Sequence, residues 1–328
     1  MNDFPATVTE PVTARPPSIL AHREARFLAM REVPPDLAAA FAEAFAAATG
    51  STSPSPDQQA LRRTGEALVA AILVDPGRTA SLPYHNLHHF AEATLAMGWL
   101  CASARALGLI SATDAALGVV AMVGHDMGHD GVSITGGVLE AQAAADTVRV
   151  ARDGGLDEQA CARLSDIIQG TDPTLVGANA ERSSLRRPPG PFGTTGDLLR
   201  SLANEADVMA SLLPMLGLRL GEALAEERRL ADDPNASAVA SLALHLAFLR
   251  CYAWFTPAAE AIGLAELVRR KIEAFARAGQ RLGAEATPEA GAAALDRLDR
   301  KEAITLFRAG ANQSCAIKRR PWVTALAG

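Results

Sequence analysis

Several features that assign a chain to a special class are scarce in this sequence of 328 residues. Its four cysteines are scattered and form no CxxC pair, which argues against a disulfide framework or a structural zinc ribbon. No apolar run reaches the roughly 18 residues that a membrane span needs. The N-terminus lacks a basic segment followed by an apolar one, so we expect no secretory signal.

The charge balance also excludes a class of partner. The chain has 31 lysines and arginines against 37 aspartates and glutamates, a net charge of -6, whereas a generic nucleic-acid binder is basic. We therefore expect a soluble, cytoplasmic protein with no nucleic-acid or membrane partner. Association into a homo-oligomer stays open at this level.

Alanine and leucine dominate what is present. The hydrophobic fraction is 49% while aromatic residues make up only 5%. Alanine loses no side-chain entropy in a helix, and β-branched runs that would favour strands are few. The composition therefore predicts an all-α protein with a single compact multi-helix domain.

Prolines and glycines divide the chain. Residues 1 to about 18 contain four prolines and no periodicity, which predicts a loose arm. Apolar residues recur every fourth position within Pro35 to Thr49, which predicts an amphipathic helix ending at the following glycine. The predicted division is an N-terminal arm and helix over 1–56, a catalytic domain over 57–280 and a C-terminal helical extension over 281–328.

Two later stretches carry further expectations. Gly177 to Gly196 includes SSLRRPPGPFGTTG, which predicts no regular element. Its arginines either form an anion-binding lid or, as the simpler interpretation, keep an exposed loop solvated. Long helices are predicted over Leu198 to Ala231 and over Ala236 to Phe275, with the latter interrupted at Pro257.

Histidines are the main chemical signal. Five of the seven lie between positions 85 and 129, and on a helix His85 would share a face with His89, as His125 would with His129. Asp126 follows an apolar run that must be buried, and an ionisable pair there needs a compensating charge. Histidine and aspartate together suit zinc, manganese or iron. For the remaining histidines we expect structural roles; they are His22, His88 and His245.

These residues lie in two blocks, YHNLHHFAEAT over residues 84–94 and GHDMGHDGVS over 124–133. Both resemble the signature blocks of the HD-domain superfamily and are closest to its class I cyclic-nucleotide phosphodiesterase branch. Further matches follow in order, at Glu140, at Thr171 with Asp172, and at Asp207. The resemblance covers roughly residues 60 to 270 and implies an HD/phosphodiesterase-like helical domain.

The resemblance also implies a role for each matching residue. The first divalent ion, zinc, iron or manganese, would be bound by His89, His125, Asp126 and Asp207. Asp126 would bridge to a second ion, magnesium or manganese, held mostly through waters. A water shared by two cations becomes hydroxide at neutral pH and attacks the phosphodiester.

The catalytic residues implied are His85, as the general acid that protonates the leaving oxygen, and His129. The waters of the second ion would be hydrogen-bonded by His129, Glu140 and Thr171. HD-domain di-iron oxygenases need further histidines between the HD pair and the last aspartate. Only His129 lies there, so hydrolysis is the favoured chemistry.

Recognition of a base is where the sequence departs from these phosphodiesterases. They grip the purine with a glutamine, and no glutamine occurs here between Thr171 and Gly279. Ala210 also replaces an expected asparagine. Asn204 or Arg250 could take the place of the glutamine. Residues that either stack a base or belong to the core are Tyr84, Phe248, Tyr252 and Phe255.

The sequence thus predicts metal-dependent hydrolysis of a cyclic nucleotide or a small organic phosphodiester. Alternatives are an HD-domain phosphomonoesterase or nucleotidase, a metal-dependent oxygenase, and a non-catalytic binding module.

Overall fold

Helices make up the regular structure of the protein wherever it is described. The computed structural model describes residues 16–50, 54–75, 77–132, 136–183, 193–252, 254–282 and 293–308, and these contain no strand. The α-helices are α1 (Pro16–Arg31), α2 (Leu37–Thr49), α3 (Pro56–Val74), α4 (Leu87–Ala106), α5 (Ala112–Gly124), α6 (Val138–Asp153), α7 (Glu158–Gln169), α8 (Val176–Arg182), α9 (Thr195–Leu212), α10 (Gly217–Leu230), α11 (Ala236–Val239), α12 (Leu242–Cys251), α13 (Pro257–Ile262), α14 (Leu264–Leu282) and α15 (Arg300–Arg308). The predicted all-α class is confirmed.

Helix α4 is the centre of the domain, with α2, α5 and α9 packed against it. The backbones of α2 and α4 approach closely at Gly98, where a Cβ atom would lie only 2.6 Å from the Cα of Ala44. Glycine is therefore required for this contact. Helix α5 is buried along all but its first turn, as its run of small and branched apolar residues demands.

Side-chain caps set where the helices of the site begin. Asn86 accepts hydrogen bonds from the backbone N–H groups of His88 and His89, at 3.0 and 3.3 Å, and so starts α4. Ser111 with Asp114, and Thr194 with Asp197, form reciprocal capping boxes at the starts of α5 and α9, which satisfy N–H groups that have no partner within the helix.

The predicted helix over Leu198 to Ala231 is wrong, because the chain turns by 101° between α9 and α10. The ring of Pro214 forces the preceding Leu213 out of the helical region, and Leu213 is extended, with φ -77° and ψ 151°. At Gly217 a Cβ would lie 2.5 Å from the carbonyl oxygen of Ser211. We call residues 213–216 the elbow.

Buried groups from distant helices fasten this elbow. The Glu24 carboxylate of α1 accepts a hydrogen bond from the Met215 N–H at 2.5 Å. Lys271 of α14 donates from Nζ to the carbonyl oxygen of Leu212 at 3.0 Å. Both groups satisfy backbone atoms that the break between the two helices exposes.

Three other boundary predictions differ from the structure. Residues 16–18 belong to α1 rather than to a loose arm, and Val176–Arg182 forms α8 where no regular element was expected. The helical region after Ala236 is divided into four helices, α11 to α14. Residues 1–15, 184–192 and 309–328 lie outside the described residues, and the three-part domain division stays a prediction.

Within the described ranges, no single helix has the length and apolar character to cross a membrane; the bent pair of α9 and α10 meets that test by length and composition alone.

Candidate metal centre and active site

Four predicted metal ligands converge at the centre of the domain. His89 lies in the first turn of α4, His125 is the C-cap residue directly after α5, Asp126 follows it, and Asp207 lies on α9. The two imidazole Nε2 atoms are 3.3 Å apart. Asp126 Oδ2 lies 3.1 Å from Nε2 of His89 and 3.3 Å from that of His125. Asp207 Oδ1 lies 3.1 and 3.5 Å from the same two nitrogens.

The chemistry of these atoms fits a divalent cation. His125 Nδ1 lies 2.8 Å from the Met122 carbonyl oxygen, which only accepts, so the proton is on Nδ1 and Nε2 carries a lone pair. Asp126 Oδ2 is buried without a hydrogen-bond partner. Tetrahedral ligands with zinc bonds of about 2.0–2.1 Å are separated by about 3.3–3.4 Å, close to the observed spacing.

The pKa values of the two histidines and the two aspartates also show that this cluster favours a bound positive charge. Burial opposes protonation of His89, but the nearby carboxylates of Asp126 and Asp207 outweigh it and raise its pKa to about 10. The pKa of His125 is raised in the same way, chiefly by Asp126 against burial. Both carboxyl groups have lowered pKa values because the imidazoles outweigh their burial. A cation would take the place of these protons.

His85 lies beside the predicted metal ligands but precedes α4, the helix that carries His89. Since α4 starts only at Leu87, the expectation of one shared helix face with His89 is wrong. His85 Nδ1 contacts Glu227 Oε1, and the backbone N–H groups of Tyr84 and His85 each donate to Glu227 Oε2 at 2.9 Å. Glu227 is 2% exposed. This pairing fixes the ring and leaves Nε2 on the side away from Glu227.

His129 stacks on His85, with ring centroids 3.9 Å apart and planes 19° from parallel. It also lies beyond a helix end, because α5 stops at Gly124. The Gly131 N–H donates to His129 Nδ1 at 3.0 Å, so the neutral ring carries its proton on Nε2. Burial, followed by the charge of His85, lowers the pKa of His129 to about 4. His129 is therefore a neutral donor at physiological pH.

Most of these groups open onto one cavity of about 230 Å³, but His89 and His125 are not among the described residues that line it. Among the described residues that line it are His85, Asp126, His129, Glu140, Thr171, Asp207, Glu227 and Arg228. A larger hollow of about 550 Å³ between α2 and α3 is lined mainly by apolar residues. Catalysis needs groups that bind metals and move protons, so the smaller cavity is the candidate active site.

Glu140 and Thr171 sit on the wall of that cavity. Burial raises the pKa of Glu140, and the nearby charge of Asp172 adds to the effect. The Thr171 hydroxyl donates to the Ile168 carbonyl at 2.7 Å, which leaves its oxygen as an acceptor. Their predicted contacts with metal-bound waters stay a prediction.

The four aromatic residues predicted to meet the substrate are not among the described residues that line the cavity. The Tyr84 hydroxyl is 3.0 Å from Ser211 Oγ, and its ring is 5.1 Å from that of His89. The rings of Phe248 and Tyr252 are 5.1 Å apart. Phe255 is buried. All four contribute to the hydrophobic core, and their contact with substrate stays a prediction.

Neither suggested replacement for the glutamine lines the cavity. The buried Asn204 amide donates to the Gly170 carbonyl oxygen at 2.8 Å and accepts from Asn179 at 2.7 Å. This network supports the turn that carries Thr171. Arg250 is exposed on α12.

Two cavity residues were missed by reasoning from sequence, Glu227 and Arg228. They lie in the charged segment AEERRL near the end of α10, and such a segment looks like an ordinary solvated helix face. Only the turn at the elbow brings it against His85.

Comparison with known proteins bears on the fold. No family model matches the sequence, and no curated protein matches it. The solved structure of LmjPDEB1 in complex with IBMX is similar, with a TM-score of 0.52 and 17% identity over 81% of this chain and 89% of that chain. The chain shares a phosphodiesterase-domain fold.

A second similar structure is the phosphodiesterase domain of the RhoPDE fusion protein from the choanoflagellate Salpingoeca rosetta. It has a TM-score of 0.51 and 14% identity over 82% of this chain and 90% of that chain. Another structure of the rhodopsin phosphodiesterase domain from that organism gives 0.50 and 14%, over 83% and 88%. The fold that the two sequence blocks implied is therefore confirmed.

Proposed function

We propose that this protein is a metal-dependent phosphodiesterase that cleaves a P–O bond of a small phosphodiester, with His85 as the general acid. The observation that carries the proposal is that a cation-binding set, two of whose carboxylates line the cavity, lies beside a histidine held there by a buried carboxylate. The fold shared with phosphodiesterase domains supports it.

The metal ligands would be His89, His125, Asp126 and Asp207. A divalent cation bound there would supply an acidified water as nucleophile and would offset the phosphate charge. The other described cluster that could hold a metal consists of His85, His129 and Glu227, but its members are already engaged with one another or with backbone. A second cation beside Asp126 would therefore depend mostly on water ligands.

Proton transfer to the leaving oxygen is assigned to His85. Glu227 accepts from Nδ1–H, which orients the ring, and Nε2–H donates its proton to the departing alkoxide. The products are an alcohol and a phosphomonoester. His129, neutral and protonated on Nε2, donates a hydrogen bond to a phosphate oxygen or a water in the same cavity.

Replacing Asp126 by alanine tests the proposal. Since its carboxylate touches both imidazoles, the variant should lose bound metal, measured by elemental analysis, together with hydrolysis of bis(p-nitrophenyl) phosphate. Asp146→Ala, which alters a carboxylate paired with Arg149 on the surface of α6, is the control. A variant at Asp126 that keeps its metal and its turnover would refute the assignment.

Substrate class is tested with the wild-type protein. Without a glutamine to pair with a base edge, we expect a generic diester to be hydrolysed and cAMP and cGMP to differ by less than about tenfold, or about 1.4 kcal/mol. The measurement is kcat/KM for each. A purine preference above a hundredfold would contradict this expectation, and cleavage of p-nitrophenyl phosphate alone would indicate a monoesterase.

A further inference from the structure

We propose that Arg228 makes this enzyme selective for phosphodiesters whose alcohol portion carries a second anionic group, a carboxylate or a phosphate. The inference rests on the proposed function and concerns the same cavity. Arg228 is the only arginine or lysine among the described residues that line it.

The charges around the cavity give this arginine its importance. The described lining includes five carboxylates, those of Asp126, Glu140, Asp172, Asp207 and Glu227. A bound cation balances the two that are metal ligands, and His85 faces the one on α10. Glu140 and Asp172 also line the cavity and have neither of these compensating charges. A substrate with a second negative charge therefore enters only if a cation compensates it, and Arg228 provides one.

The geometry leaves Arg228 available for such a group. Its side chain is 27% exposed, and its ion pair is one contact of 3.3 Å between Nη1 and Asp233 Oδ2. A guanidinium carries five donors in a planar fork that matches a carboxylate or phosphate. The adjacent Arg229 differs, because it is 65% exposed, holds Glu226 through two hydrogen bonds of 2.8 and 2.5 Å and is absent from the lining.

A structural role for Arg228 makes a different prediction. If its only task were to hold the turn after α10 through Asp233, then Asp233→Asn and Arg228→Gln would have the same effect. If Arg228 binds substrate, Asp233→Asn releases the guanidinium and keeps or strengthens the preference. The two variants therefore separate the roles.

The experiment uses full-length, metal-loaded protein and two p-nitrophenyl phosphodiesters with the same leaving group. Their second alcohol carries either a carboxylate or the uncharged methyl amide of that carboxylate. The readout is the ratio of kcat/KM for the anionic diester to that for the neutral one, so a general loss of activity cancels. We expect wild type to prefer the anionic diester and Arg228→Gln to lower the ratio about tenfold or more, since hydrogen bonds to charged groups contribute about 1.5–3 kcal/mol.

Three further variants complete the test. Arg229→Gln and Asp233→Asn should not lower the ratio, and Arg228→Lys should retain part of the preference because it retains the charge. An unchanged ratio in Arg228→Gln, or an equal fall of the ratio in Asp233→Asn, overturns the inference. If the neutral diester is still hydrolysed in that case, the proposed function stands. Failure of metal-loaded wild type to cleave either diester refutes the proposed function and this inference with it.

Discussion

Glu227→Gln changes one atom of a buried side chain and preserves its size. The amide carbonyl keeps the two hydrogen bonds from the Tyr84 and His85 N–H groups, each of 2.9 Å, only if its NH₂ group faces His85 Nδ1. Two donors then meet, so the imidazole must give up its Nδ1 proton or turn away. In both cases His85, the proposed general acid, loses the carboxylate that orients its ring.

The expected loss follows from the bond removed. A hydrogen bond to a charged group contributes about 1.5–3 kcal/mol, so kcat for a diester with an alkyl leaving group should fall about 10–150-fold. That range overlaps the general contribution of acid catalysis, about 10²–10⁴-fold. A p-nitrophenolate leaving group needs little protonation, so its loss should be much smaller.

The assay compares kcat for the two leaving groups and the metal content of each protein. Glu226→Gln is the matched control, because that exposed carboxylate pairs with Arg229 and does not contact His85. Equal losses for both leaving groups, or loss of metal from Glu227→Gln, would refute the assignment of Glu227 as the residue that positions the acid.

Two further predictions concern stability. A Cβ on Gly98 would meet the backbone of Ala44 at 2.6 Å, so Gly98→Ala should lower the free energy of unfolding by about 1–3 kcal/mol. Gly221 has open space around it, so Gly221→Ala should raise the free energy of unfolding by about 0.5–1 kcal/mol. Urea titrations that rank the two variants in the opposite order would contradict the packing argument. Burial lowers the pKa of Lys271 to about 7. The unfolded chain therefore binds more protons than the folded protein between about pH 7 and 10.5, and stability should rise with pH in that range. Lys271→Met should flatten the rise in Tm, and an equal rise in both proteins would show that other groups cause it.

Much of the candidate site was predictable because its ligands belong to short sequence blocks. The residue types of His89, His125 and Asp126 indicate a cation, and the structure brings their ligand atoms together. The prediction that each pair of histidines shares one helix face was wrong, however. Asn86 starts α4 after His85, and α5 ends before His125, so turns rather than helix faces place the outer histidines.

The contact between Glu227 and His85 could not be predicted from the sequence, for a different reason. Its partner His85 lies 142 positions earlier in the chain, and no local pattern reports a contact at that distance. The proline that creates the elbow was visible in the sequence, but the apolar periodicity continued through it. Periodicity records which residues are buried and is insensitive to a change in helix direction between two buried segments.

The elbow also determines which distant helices control the geometry of the candidate active site. Asp207 lies on α9, and Glu227, which contacts His85, lies on α10. The angle between the two helices therefore sets the distance between a predicted metal ligand and the carboxylate that positions His85. Glu24 and Lys271 brace that angle from α1 and α14. Cutting the chain at residue 57 would remove the first brace without touching the cavity. Helices α1 and α14 thus hold the angle between α9 and α10, and loosening either would move His85 away from the leaving oxygen that it is proposed to protonate.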